Sequence, residues 1–344
     1  MRSTIGKRHW CAKRVDGDVL RQAACRCYYI KELNRSGCGS GANRLSRSCG
    51  APLKTRSING RVNIESSAIV IPHWLSWLFW FAWGSCLGSF LNVCIYRMPR
   101  EQSLVRPRSR CPKCEHRIRW YDNIPLVSYA LLGGKCRDCR APILWRYPVV
   151  EAITGFATVS IMARFGVNPV SAVYLLFIYG LITASFIDFE FQIIPDEISL
   201  GGLVLGVLAS GLVPALHGTD SRLLALGRSV IGLLAGGGIL YATGMLGDFL
   251  FRKESMGGGD VKLMAMAGSI LGWQFVVLAF FLAPMLALLP GLFVLLVKRS
   301  HVIPYGPFLS LALVVALFYG EEVLRVTGVG ESLRLLWQYY GWRS

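Results

Sequence analysis

The sequence predicts an all-α polytopic membrane protein, with about eight transmembrane helices and a small cytoplasmic zinc-binding loop domain built on four cysteines. Three observations predict it. Hydrophobic residues make up 53% of the 344 and charged ones only 17%, an apolar excess beyond that of ordinary soluble domains. The apolar residues gather in runs of spanning length. The charge, finally, is segregated: residues 1–67 hold 14 Lys/Arg against 4 Asp/Glu (+10), residues 97–147 hold 12 against 4 (+8), and everything after 147 holds 11 against 12 (−1). A total of +17 raises nucleic acid as a partner. Here the charge lies beside membrane runs, so positive-inside topology accounts for it and no nucleic acid is expected.

Residues 1–67 contain no run long enough to span and are rich in Arg, Ser, Gly and Asn, which reads as disorder or very weak structure. No apolar core follows the basic start to make a signal peptide. Five of the eleven cysteines (Cys11, Cys25, Cys27, Cys38, Cys49) fall here at spacings that match no motif. This region and residues 97–147 are both basic yet flank a single membrane run, and only one of them can lie inside. The expectation is therefore a non-native or dispensable extension, with a cytoplasmic arm as the competing reading.

The first membrane run, Ile69–Tyr96, ends in Gly88-Ser89-Phe90-Leu91-Asn92-Val93-Cys94-Ile95-Tyr96-Arg97-Met98-Pro99. Gly88 and Ser89 suit close helix packing, and Asn92 needs a hydrogen-bonding partner inside a bundle. Arg97 and Arg100 mark a cytoplasmic end. The polar loop 97–147 then carries Cys111-Pro112-Lys113-Cys114 and Cys136-Arg137-Asp138-Cys139, two C-x-x-C pairs separated by 21 residues. Such pairs are the two knuckles of a tetrahedral thiolate site for a structural zinc ion, with no position left open for water. Disulfides or free thiols are the alternative, and a reducing cytoplasmic face disfavours the former.

Seven further runs follow, near Arg146–Met162, Val170–Ile187, Ile198–Leu216, Leu223–Phe251, Val261–Trp273, Gln274–Val297 and Phe308–Val323. The split near Gly272–Gln274 is open, because merging the runs gives seven crossings rather than eight. Between the third and fourth crossings stands Asp188-Phe189-Glu190-Phe191-Gln192-Ile193-Ile194-Pro195-Asp196, and before the sixth stands Met256-Gly257-Gly258-Gly259-Asp260-Val261-Lys262. With loop 97–147 inside, parity puts Asp188 and Asp260 at the same cytoplasmic edge, together with Arg252, Lys253, Lys298 and Arg299. Membrane-edge carboxylates are costly unless they face water or protein, which makes them functional candidates. Three glycines before Asp260 leave space for an extended substrate backbone. The bland alternative is a flexible membrane-edge turn with a solvated Asp.

Two carboxylates that share a proton separate into an ionised base and a protonated acid. The base takes a proton from water as it attacks a peptide carbonyl; the acid polarises that carbonyl and then protonates the leaving amine. Glu190 and Asp196 are acidic alternatives, and a carboxylate cluster holding a divalent cation is another reading.

On these residues the chain resembles the bacterial type IV prepilin peptidases, which are bifunctional leader peptidase/N-methyltransferases. The matching stretches are Gly88–Pro99, the two Cys pairs, Trp145-Arg146-Tyr147-Pro148 through Glu151, Asp188–Asp196, Met256–Lys262 and Ile303-Pro304-Tyr305-Gly306-Pro307-Phe308. In order, they cover roughly residues 70–320. The resemblance implies a GxGD-type intramembrane aspartic protease whose catalytic pair is Asp188 and Asp260, with Asp196 a structural neighbour. It implies substrates that are type IV prepilins or pseudopilins, cut on the cytoplasmic side of the inner membrane after a Gly. It also implies N-methylation of the new terminus with S-adenosylmethionine as donor, at residues that the sequence does not reveal. The organisation expected is a 1–67 extension, a first helix at 68–96, a zinc-binding and methyltransferase-associated loop at 97–147, a peptidase core at 148–325 and a tail at 326–344. A peptidase without methyl transfer, a carboxylate-lined transporter and a zinc-anchored scaffold are the competing functions. Leader removal from a pilin-like substrate discriminates among them.

Overall fold

The computed structural model describes residues 73–106, 109–252, 256–298 and 304–326. The extension 1–67, with its five cysteines, and most of the tail 326–344 lie outside the described residues. Eight long helices carry the fold: α1 (His73–Arg97), α3 (Arg146–Phe165), α4 (Pro169–Phe191), α5 (Asp196–Leu212), α6 (Arg222–Phe251), α7 (Gly258–Leu271), α8 (Trp273–Lys298) and α9 (Gly306–Val326). A five-residue helix, α2 (Val127–Leu131), lies in the loop between α1 and α3. Among the described residues there is no strand beyond two isolated bridges, Arg110 with Arg117 and Lys135 with Pro142.

Local chemistry sets the ends. Asn168 caps α4, its side chain accepting from the Ser171 N–H at 2.8 Å, with Pro169 at the start of the helix, where a missing N–H costs nothing. Gln192 closes α4 in the left-handed region, and Pro195 precedes α5, whose first turn carries Asp196 and Glu197, both favourable beside the positive end of the helix dipole. Gly272, at φ +88, separates α7 from α8. The open boundary thus resolves into two helices, because only glycine takes that conformation cheaply.

Six of the eight helices are long and apolar enough to cross a bilayer. The other two, α5 with 17 residues and α7 with 14, fall short. A 14-residue helix extends only about 21 Å, against a hydrocarbon core of about 30 Å. The reason is visible in the packing of α7. Every residue from Leu263 to Leu271 is buried, so this helix is surrounded by protein and has no lipid thickness to match. Its neighbour α6 comes so close that a Cβ on Gly232 would run into the Gly268 carbonyl, and one on Gly268 into the Gly232 carbonyl, small-residue packing of the kind that joins helices in membranes.

A seam of hydroxyls joins α3 and α4. Thr154 and Thr158 donate to the carbonyls of Val150 and Thr154 at 2.7 Å each, and the Thr158 hydroxyl lies 2.8 Å from that of Tyr179. The partner expected for Asn92 is present: its amide donates to the Tyr147 carbonyl at 3.1 Å and to that of Gly88 at 3.3 Å. That bond fixes the end of α1 against the start of α3.

Candidate active site

The ends of α1, α4 and α6 and the starts of α3, α5, α7 and α9 meet at one face of the bundle, and the sequence motifs converge there. Asp188, one turn before the end of α4, is buried and accepts a hydrogen bond on Oδ2 from the Gly306 backbone N–H, at 2.9 Å. Gly306 begins α9, so a helix N-terminus is aimed at this carboxylate, a natural anion site. Asp260 stands in the first turn of α7. It lies within electrostatic reach of Asp188 and of Tyr305. Its Oδ1 is buried and has no hydrogen-bond partner among the described residues. A buried carboxylate oxygen is seldom left without a partner, so a proton, a water or a substrate group belongs there.

The glycines before Asp260 differ in their surroundings. A Cβ on Gly258 would meet nothing within 4 Å, one on Gly257 would meet only Asp260 Oδ2 at 3.5 Å, and one on Gly259 would press on Ile194 Cβ at 2.9 Å. Gly257 and Gly258 thus leave open space beside the carboxylate, whereas Gly259 is small because α7 packs on the Ile194-Pro195 turn.

The two acidic alternatives have other partners. Glu190 accepts from Arg146 Nη1 through both carboxylate oxygens. Asp196 pairs with Lys262 Nζ at 2.6 Å across exposed surface, a pair worth no more than about 1 kcal/mol. Each pair joins two of the motifs: Trp145–Glu151 to Asp188–Asp196, and Asp188–Asp196 to Met256–Lys262. Arg100 adds a third link, its guanidinium lying 4.1 Å from the ring centre of Tyr96 and 4.9 Å from that of Phe191. That contact holds the end of α1 to the end of α4.

Glu151 carries a role that sequence reading missed. It was legible only as the last residue of the stretch beginning at Trp145. It is buried in α3, takes the Leu126 backbone N–H on Oε2 at 2.8 Å and hydrogen-bonds to the Ser89 hydroxyl. One side chain therefore fastens the loop to both α1 and α3. Glu151→Ala leaves the Leu126 N–H unpaired, at a cost of about 1–3 kcal/mol. Limited proteolysis should then cut between residues 117 and 135 several-fold faster; an unchanged rate would show that the loop is held elsewhere.

Within the loop, the four thiols that sequence spacing paired come together. The sulfurs of Cys111, Cys114, Cys136 and Cys139 lie within 4.8 Å of one another, with Cys111 and Cys139 at 3.8 Å. A tetrahedron with metal–sulfur bonds of about 2.3 Å has edges of about 3.8 Å, so the cluster can hold a metal ion after a small contraction. The two knuckles share a backbone form. Glu115 N donates to the Cys111 carbonyl at 2.9 Å and Arg140 N to that of Cys136 at 3.0 Å, and both Glu115 and Arg140 take left-handed conformations. The crowded sulfurs divide their protons unequally. Burial would raise the Cys111 thiol, but the backbone N–H groups of Cys114 and Lys113 and the neighbouring thiols bring it down to about 7. Cys114 receives the His116 N–H, yet desolvation and the other three thiols push it up to about 12. A bound cation removes that competition by favouring thiolates throughout. Beside the cluster, Arg137 grips Asp122 through Nε and Nη2, with distances down to 2.6 Å, and holds that carboxyl below its ordinary range.

A cavity of about 420 Å³, lined by Ser160, Ala163, Arg164, Phe318 and Tyr319, lies at the other end of α3 and takes no part in this site.

Residues 82–165 match the model of the bacterial peptidase A24 N-terminal domain, and residues 175–292 match that of the type IV leader peptidase family. The chain is 33% identical over 289 residues to the prepilin leader peptidase/N-methyltransferase of Aeromonas hydrophila, a match that spans 74% of this chain and 96% of the relative. It is 35% identical over 270 residues to the protein of the same name from Pseudomonas aeruginosa, spanning 70% and 90%. The Myxococcus xanthus protein of that name is 38% identical over 220 residues, spanning 64% of this chain and 63% of its own length. No solved structure matches the chain.

Proposed function

The chain belongs to the type IV leader peptidase family, and from that premise we propose that it removes the leader of type IV prepilins or pseudopilins by aspartic-protease chemistry and N-methylates the new terminus. The observation that carries the catalytic assignment is the pairing of Asp188 and Asp260 at one face, with an unpartnered buried oxygen on Asp260 and open backbone beside it. Glu190 and Asp196 are engaged by Arg146 and Lys262, which leaves these two carboxyls for proton exchange.

In the reaction, one carboxylate takes a proton from water as the oxygen attacks the scissile carbonyl. The protonated partner donates a hydrogen bond to that carbonyl and then protonates the departing amine, which closes the proton cycle without a covalent intermediate. Asp188, which holds the Gly306 N–H, and Asp260 share the base and acid roles between them. S-adenosylmethionine, when bound, supplies the methyl group for the new amine. Among the described residues there is no βαβ unit with a glycine-rich turn, so the donor is assigned to no residue, and methylation rests on family membership.

The site lies at helix ends and not at bilayer centre, so cleavage belongs at the cytoplasmic surface of the inner membrane. The basic leader of the substrate holds the junction there. Co-expression with a pilin-like protein tests the assignment through loss of its leader. Replacing the Gly before the cut with a bulky residue should block processing. Moving that Gly several residues deeper into the apolar helix should abolish it, and efficient cutting at the deeper position would overturn the assignment of the site to the surface.

For the cluster of Cys111, Cys114, Cys136 and Cys139, zinc is the metal that best fits a thiolate tetrahedron with no open position, and its role is structural. Metal analysis of purified protein should find one zinc per chain, lost when all four residues are changed to Ser. Equal zinc in both samples would remove these ligands from consideration.

A further inference from the structure

The loop between α1 and α3 is not wholly a water-facing domain. Leu126 gives its backbone N–H to Glu151, and Glu151 lies five residues beyond the start of α3 at Arg146. At 1.5 Å per residue, that contact is about 7.5 Å along the helix axis, inside the membrane-spanning segment. With Arg146, the first residue of the candidate span Arg146–Phe165, taken as the membrane boundary, the loop reaches beside α3 to the depth of interfacial segments, about 5–10 Å into the boundary between headgroups and acyl chains.

What surrounds Leu126 suits that depth. Ser128 is buried, its hydroxyl bonded to the Tyr121 carbonyl at 2.9 Å and receiving the Ile124 N–H at 3.1 Å. The opposite face of α2 presents Val127, Ala130 and Leu131 outward, at i, i+3 and i+4 spacing, and Leu131 is 81% exposed. Ile124 is exposed on the approach, and Trp120 is 82% exposed one short 3-10 turn before it. On α3, Ile153 and Phe156 are also exposed, as is Trp145 just before it. The rest of the loop carries exposed Arg110, Lys113, Arg117 and Arg140, besides Arg119 and Arg137, which are paired with Asp138 and Asp122.

We propose that Trp120–Leu131 is an interfacial segment seated in an anionic phospholipid leaflet, with the Val127, Ala130 and Leu131 face among the upper acyl chains and Trp120 at headgroup level. Two independent features favour lipid over a protein occupant. The Glu151 tether sets the depth, and the flanking charge is basic, complementary to anionic headgroups. Trp at that level matches the aromatic belt of membrane proteins. The inference does not depend on the peptidase assignment.

The test uses the full chain in vesicles of phosphatidylethanolamine and phosphatidylglycerol. A photo-activatable benzophenone amino acid is placed at Leu131, at Trp120 or, as the control on the exposed first knuckle, at Glu115. After irradiation, mass analysis should find phospholipid adducts at 131 and 120 at about tenfold the level at 115, given the shallow depth of an interfacial segment. Should the Leu131 variant fail to insert, the same label at Val127 or Ala130 reads the same face. Equal lipid adducts at 131 and 115 would overturn the proposal. So would adducts at 131 dominated by a second copy of the chain or by another protein, because the face would then be a protein-docking surface.

Discussion

Asp188→Asn and Asp260→Asn each lower prepilin cleavage by at least about 10²- to 10⁴-fold, the usual worth of a positioned acid or base, while the chain stays inserted and folded. The mechanism needs one carboxyl to accept a proton and the other to supply one, and an amide does neither. Folding should survive because the shape is kept. Asn at 188 still offers a carbonyl oxygen to the Gly306 N–H, and Asn at 260 still fits the first turn of α7. Asp196→Asn is the comparison that makes the result specific. Asp196 lies eight residues beyond Asp188 in the same motif, yet its partner is Lys262 on exposed surface, so its loss should leave most of the rate. The readout is the rate of leader removal in membranes from cells that hold equal amounts of each variant. Cleavage at the wild-type rate by either of the first two variants would end the assignment of the pair, and a dead Asp196 variant would shift the acid–base role toward the α5 N-terminus.

The two ion pairs at this face also account for the way in which distant motifs act as one unit. Arg146 has a nearly buried side chain, and both oxygens of Glu190 bind its Nη1 while Nε and Nη2 find no partner among the described residues. Removing Glu190 strands the buried Arg146 guanidinium, and the cost of a stranded buried charge is about 3–5 kcal/mol, whereas Glu190 itself is exposed and stays solvated without Arg146. The Arg146–Glu190 pair thus fixes the start of α3 against the end of α4, two residues beyond Asp188. The Lys262–Asp196 pair is weaker, but it ties the start of α5 to α7 two residues beyond Asp260.

Much of this architecture is legible from residue patterns because the bilayer constrains backbone hydrogen bonding so strongly. The runs of apolar residues locate all eight long helices, and parity together with basic flanks puts Asp188 and Asp260 at one edge. The C-x-x-C spacing identifies the thiols that meet at 3.8–4.8 Å. Three things are not legible. The shortness of α7 depends on its burial among other helices, which hydropathy does not distinguish from contact with lipid. Glu151 reads as one acidic residue in an apolar run, because its partners, the Leu126 N–H and the Ser89 hydroxyl, are a backbone donor and a residue 62 positions away. The apolar face of α2 is five residues long, too short for periodicity to be measured, and charge counts mark the loop around it as polar.

Gly306→Ala should lower the rate of cleavage by about 10²-fold, the order of loss that follows a misplacement of about 1 Å at a reacting group. A Cβ built on Gly306 would lie 2.7 Å from Asp188 Oδ2, 3.1 Å from its Cγ and 3.2 Å from its Cβ. The Gly306 N–H already reaches that same oxygen at 2.9 Å. The hydrogen bond and an added methyl group cannot both be accommodated, so either the carboxylate swings away or the start of α9 retreats. Either movement disturbs the placement of Asp188 and breaks its hydrogen bond from the Gly306 N–H. Gly306 is not among the glycines at positive φ, so alanine carries no backbone strain there and the effect reports the close approach alone. The loss should fall on kcat with KM nearly unchanged, since the methyl group displaces a proton-transferring group and leaves the open backbone at Gly257 and Gly258 intact. Gly238→Ala, where a Cβ meets nothing within 4 Å, is the matched control inside α6 and should cleave at the wild-type rate. Valine at 306 deepens the loss by adding two further carbons in the same space. A Gly306→Ala enzyme with full kcat would show that the α9 N-terminus does not position Asp188, and that carboxyl would then have to be held by α4 alone.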